Sequence, residues 1–220
     1  MRLSYLIPFA LVAVVSAADT LKSVQDAFNA ANIPANLRIT FNPSFLLGVS
    51  FPSGASVSSP GVQLSVAGKF HPLSHAHPHT YADAPTATAK EPSLFLTGAS
   101  AADLGGPFVA IMVDPDAPTP QNPTIAQIRH LVAPDLAASA KSSQLTTATA
   151  PISAYIPPGP PAGSPAHRYI ILLYKQPPGF KNQKLITPST GVTNFDVGAF
   201  AAATGLGNPV AGNFFRVAPA

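Results

Sequence analysis

The chain has 220 residues, 46% of them hydrophobic and 10% charged, with 26 Pro, 15 Gly and no Cys or Trp. Its 12 basic and 9 acidic side chains leave a formal charge of +3, and no basic run marks a nucleic-acid footprint, so DNA and RNA partners are set aside. The length suits a single all-β domain, and the apolar fraction predicts a core large enough to fold without disulfides.

Arg2 followed by the apolar run Tyr5 to Val15 and the small residues Val15-Ser16-Ala17 predicts a secretory signal peptide over 1–17, cleaved after Ala17. The expectation is an exported, extracellular protein with one domain over 18–220 and no integral membrane association, because no later apolar stretch reaches the ~20 residues a spanning helix needs. Asn42-Pro43-Ser44 and Asn122-Pro123-Thr124 resemble glycosylation acceptors, but the central proline forbids both.

Thr20 is a plausible N-cap for a helix carrying Leu21, Val24, Phe28 and Ala31, with Ile33-Pro34 expected to stop it. The period then changes to two: Leu37, Ile39 and Phe41 alternate, as do Val62, Leu64 and Val66, and then Leu94 and Leu96. Phe108 to Val113 is apolar throughout, as in a strand covered on both faces. Arg129-His130-Leu131-Val132 predicts a polar pair entering a short strand. His167 to Tyr174 predicts another strand, with His167, Tyr169, Ile171 and Leu173 on one face. Asn194 or Asp196 can cap a short helix through Phe200, closed by Gly205 or Gly207, before a last strand over Val210 to Val217. Phe70 to Lys90 and Ser139 to Ala150 lack periodicity and are expected as loops. Together these elements predict a mainly β fold, an antiparallel β-sandwich with a few short peripheral helices.

Three polar clusters stand at strand ends beside proline-rich loops, where a rim pocket would form. Asp114-Pro115-Asp116-Ala117-Pro118 delivers two carboxylates on a stiff turn; alternation leaves open whether they share a face. Arg129-His130 opens a strand, although a lone histidine of this kind is more often structural. The loop Pro157 to Ala166 feeds His167, Arg168 and Tyr169 into a strand, where buried polar groups are costly unless paired or used. His71, His75, His77 and His79 fall within nine residues, but the neighbouring Pro72 and Pro78 favour solvated histidines over a metal site. No metal ligand set and no cofactor is expected.

The Asp-Pro-Asp-Ala-Pro turn, the single His opening a strand, the Gly-Pro-Pro loop leading to His-Arg-Tyr, and Pro209-Val210-Ala211-Gly212-Asn213-Phe214-Phe215 together resemble the phosphatidylethanolamine-binding protein family. That family includes Raf kinase inhibitor proteins and carboxypeptidase Y inhibitors. The resemblance runs from about Leu21 to Val217 and implies a small rim pocket for phosphate-like or carboxylate-like anions. Asp114, His130, Gly159, His167 and Tyr169 match the family's ligand-binding positions. Asp116, Pro118 and Arg168 are expected to support the pocket, Pro118 through a cis peptide and Arg168 through an ion pair with Asp116.

Departures from the family pattern are equally specific. Ile128 replaces an aromatic at the pocket mouth, Ala162 a basic residue and Pro157 a glycine, while Arg129 replaces a histidine and is expected to return positive charge to the pocket. The sequence stops three residues after Val217, short of the C-terminal lid helix of animal members, so a more open pocket is expected. The leading expectation is a secreted, non-catalytic binding protein for a small anion or phospholipid headgroup. The alternative is an inhibitor of a serine carboxypeptidase or related hydrolase, with a secreted or vacuolar peptidase as partner. An enzyme using Ser164 as nucleophile is disfavoured, because Ser164 sits on a loop without an elbow motif.

Overall fold

The computed structural model describes residues 19–57, 59–64, 87–99, 106–139 and 142–219; the expected leader over 1–17 and the expected loop with His71, His75, His77 and His79 lie outside the described residues. Helix α1 spans Leu21–Ala30 and buries Val24 and Phe28. Thr20 caps it reciprocally: the Ser23 N–H donates to Thr20 Oγ1 at 3.0 Å and the Thr20 N–H to Ser23 Oγ at 2.9 Å. Ile33-Pro34 does not end the helical region but opens a second short helix, α2 (Ile33–Leu37). Proline is tolerated there because a first-turn N–H has no partner within the helix. The expected strand through Leu37, Ile39 and Phe41 is therefore absent. Leu37 closes α2, and Phe41 instead stacks on Phe28 with ring centroids 4.0 Å apart.

Among the described residues eight strands follow: β1 (Leu46–Ser50), β2 (Val62–Leu64), β3 (Ser93–Thr97), β4 (Phe108–Asp114), β5 (Ile128–Ser139), β6 (Ser142–Thr146), β7 (His167–Lys175) and β8 (Ala211–Val217). Helix α3 (Val197–Thr204) lies between β7 and β8, with Asp196 as N-cap and Gly205 as C-cap. β6 falls inside a stretch expected as loop. Its residues lack alternation, but tertiary pairing places Leu145 opposite Leu94 and buries both.

The strands form one continuous sheet in the order β1-β3-β6-β5-β4-β7-β8-β2. The expectation of a mainly β fold with few helices is met, but the sandwich is replaced by a single curled, mixed sheet. Among the described strands its one parallel pair is β2 beside β8, with Val62 opposite Phe215. The curl follows from apolar surface on both faces. Inside it, Met112 of β4, Tyr169 and Ile171 of β7 and Phe215 of β8 share a cluster with Leu47, Val49, Leu94 and Leu96 of β1 and β3. Folding back lets one sheet bury its own face, and Ser44 and Phe45 seal the seam by donating N–H bonds to the Val210 carbonyl. Outside, Val109, Ile111, Val113, Ile170, Leu172 and Tyr174 pack under Phe28, Leu37, Val197 and Phe200 of the helices. Being covered on both faces, β4 has no polar period.

Among the described residues, the edges are short or folded over. β2 has three residues. The far side of β1 is met by residues 55–57, with the Val57 N–H donating to the Val49 carbonyl at 3.0 Å.

Candidate functional site

Antiparallel pairing of β4 with β5 and β7 brings the end of one strand beside the starts of two others. Asp114, His130 and His167 therefore converge on one rim, although the first and last lie 53 residues apart in the chain. A β-bulge refines the placement: Met112 pairs with Leu131 and Val113 with Arg129, so His130 is the extra residue on β5. A bulge re-aims a side chain that regular alternation would place elsewhere.

His167 Nδ1 lies 2.8 Å from Asp114 Oδ2, and its Nε2 lies 2.9 Å from Ser164 Oγ. The other Asp114 oxygen, Oδ1, accepts the Asp116 N–H at 2.7 Å, fixing the turn that carries both carboxylates. Asp116 faces Arg168, accepting from its backbone N–H at 2.7 Å, from Nε at 2.9 Å and from Nη2 at 2.6 Å. Arg168 Nη1 reaches on to the Ala31 carbonyl and to Asn36 Oδ1, so the guanidinium ties the helical hairpin to the turn. The Ala117–Pro118 peptide is cis, and Pro118 is half-buried.

His130 is held differently. Its Nδ1–H donates to the Ile156 carbonyl at 2.7 Å, since a carbonyl can only accept. In the neutral ring Nε2 is then a bare lone pair; it is buried and has no partner among the described residues. Tyr169 lies between the two imidazoles, edge-on to His130 at 5.1 Å and stacked on His167 at 6.4 Å. The Gly159 amide, on an exposed loop, donates to the Tyr169 hydroxyl.

The environment separates the two histidines. Burial pushes His130 below the ordinary histidine range, against smaller opposing effects from Ile156 and Asp114. Burial also lowers His167, but the Asp114 hydrogen bond and charge outweigh it and hold that ring above the ordinary range. Burial raises the Tyr169 hydroxyl, and the Asp114 charge adds to the effect.

All five ligand-position residues belong to one neighbourhood, but the rim is more closed than expected. Asp114, His130, His167 and Tyr169 are 3%, 4%, 1% and 1% exposed. Cavities of about 500 Å³ beside Arg38 and 490 Å³ beside Lys181 open elsewhere and do not border the cluster. Arg129 corrects another expectation: it points to the opposite face of β5, over the Phe195 ring at 5.3 Å, and returns no charge to the histidines. The bulge is the reason: the extra residue His130 turns toward Tyr169, on the side of Leu131, and Arg129 is left on the other face. In the sequence Ser164 stood out only as the nucleophile of a disfavoured enzyme and not as a partner holding His167; its only local signal is a hydroxyl three residues before His167. Ile156 enters through its backbone carbonyl, which leaves no mark in the sequence.

A family model described as phosphatidylethanolamine-binding protein matches residues 68–215. Protein BROTHER of FT and TFL 1 of Arabidopsis thaliana is 31% identical over 177 residues, 80% of this chain and 81% of that protein. The carboxypeptidase Y inhibitor of Saccharomyces cerevisiae (strain ATCC 204508 / S288c) is 33% identical over 132 residues, 49% of this chain and 58% of its own length. The crystal structure of carboxypeptidase Y inhibitor complexed with the cognate proteinase superposes with a TM-score of 0.72 and 26% identity, covering 93% of this chain and 98% of that one.

Proposed function

Because the chain belongs to the phosphatidylethanolamine-binding protein family, we propose that it is an exported, non-catalytic binding protein whose Asp114–His130–His167–Tyr169 cluster takes a small anionic group of the phosphate or phospholipid-headgroup kind. The observation that carries this reading is the unpartnered, buried Nε2 of His130. A buried polar atom without a hydrogen bond is costly, and a ligand oxygen supplies one once Nε2 holds a proton. His167 contributes a fixed ring whose charged form Asp114 favours: Asp114 holds Nδ1–H and Ser164 meets Nε2, so the ring cannot turn. Anion binding is then coupled to protonation of His130, whose pKa burial holds down. Affinity therefore rises as pH falls below the ordinary histidine value of about 6.5, where His130 takes up its proton.

Ser164, His167 and Asp114 have the polarity of a nucleophile–base–carboxylate relay. The Ser164 hydroxyl is also 3.0 Å from the Pro165 carbonyl, on its own loop, and the residue is buried. This supports a holding role for the hydroxyl. The test is titration of phosphoethanolamine and inorganic phosphate by calorimetry at pH 5.5 and 7.5. His130→Ala loses at least tenfold in affinity at pH 5.5 with its melting temperature retained; equal affinity in that variant rejects the assignment.

A second reading is favoured by the superposition on carboxypeptidase Y inhibitor and by the likeness to the yeast protein. In it the chain inhibits a secreted or vacuolar serine carboxypeptidase through surface contacts. Stoichiometric loss of carboxypeptidase Y activity on mixing supports it, and full activity at excess protein removes it.

A further inference from the structure

On the face of β5 away from His130, a second charged group is buried with too few partners. Arg129 is 1% exposed. Its Nη2–H donates to the Thr190 carbonyl at 3.0 Å, while its buried Nε has no partner. It makes no ion pair among the described residues. The guanidinium borders a cavity of about 390 Å³ whose other walls include Ile186, Phe195 and Phe200, with Leu185 at its edge, 56% exposed. Asp196 also borders the cavity, but both its oxygens are engaged, Oδ1 by the Ala199 N–H at the start of α3 and Oδ2 by Arg38. The site thus holds one positive charge without an ion-pair partner among the described residues, in an open, mainly apolar cleft that Thr190, Thr193 and Asn194 also line and that is large enough for a small ligand. Burial lowers the affinity of this guanidinium for its proton, yet arginine stays charged in the physiological range. A buried charge of this kind is stable only when paired.

We propose that this cavity binds a medium-chain monocarboxylic acid, its carboxylate on Arg129 and its tail along Phe195, Phe200 and Ile186 toward Leu185. A monoanion neutralises the single guanidinium and leaves no excess charge to desolvate, which a phosphate dianion would. The apolar walls select a ligand whose remaining surface is hydrocarbon. This site is separate from the histidine cluster and does not depend on its function.

The probe is sodium decanoate, followed by calorimetry and by amide chemical shifts on the full chain, with decanol as the uncharged analogue. Decanoate is expected to bind and to shift the amides of residues 190–195. Decanol and the variant Arg129→Met are expected to bind at least tenfold more weakly. Should Arg129→Met fail to fold, Ala203→Trp decides: Ala203 is exposed on α3 and borders the cavity, so the indole blocks the mouth without touching the charge. Decanoate binding that is absent in the native chain, or undiminished for decanol, Arg129→Met or Ala203→Trp, overturns the proposal, as do shifts confined to Gly159 and Tyr169.

Discussion

Replacing Asp116 by Ala breaks the pair that joins the acidic turn, β7 and the helical hairpin. The carboxylate is buried, 2% exposed, and accepts three hydrogen bonds from Arg168. Removing one partner of a buried pair costs about 3–5 kcal/mol, because the other charge is left without compensation. The Arg168 side chain is 18% exposed, so water can reach it and the lower end applies, about 3 kcal/mol. For a domain of this size each kcal/mol moves the melting temperature by roughly 2–4 °C, giving a fall of about 6–12 °C. Calorimetric melting measures it. The double variant Asp116→Leu/Arg168→Met recovers most of the loss, since an apolar pair has no charge to strand. About 1 kcal/mol stays missing because the Arg168 N–H keeps no acceptor. A fall smaller than about 3 °C in the single variant, or a double variant no more stable than the single, refutes the picture of a mutually dependent pair.

His130 and His167 should titrate apart, His130 below and His167 above the ordinary value of about 6.5. The stability His167 contributes is present below its unfolded pKa and lost as pH rises through its folded one, whereas His130 withdraws stability as pH falls through its lowered folded pKa. Proton NMR of the two rings checks this, and a shared, ordinary midpoint contradicts it. Gly198→Ala should cost about 1–3 kcal/mol in a urea melt, because its Cβ would stand 2.6 Å from the Arg38 carbonyl oxygen and 2.8 Å from that of Leu37; an unmoved midpoint would show that α3 slides freely over α2.

What could be read in advance divides along a physical line. The unbroken apolar run of β4 and the alternation of β7 carry their burial in their own residues, and the two cores sort their side chains by that period. The Thr20 and Asp196 caps were equally local. Pairing was not. β6 is a strand because Leu145 meets Leu94 across the sheet, a contact between residues far apart in the chain. The mixed sheet depends on where β2 docks. At the site, the Asp114–His167 contact follows from the strand ends, but the bulge that makes His130 an extra residue depends on register. So does the side of β5 on which Arg129 emerges. The Ile156 carbonyl that sets the His130 tautomer belongs to a backbone, and any residue type could have supplied it.

Main-chain donors and acceptors at the rim of the sheet have a further consequence. Among the described residues, the rim at β1 is occupied by its own following turn, so there a foreign segment finds little ladder to extend. A peptidase that engages this protein there would have to grip side chains and loops instead of adding a strand. The same geometry disfavours edge-to-edge growth at β1 when the protein is concentrated.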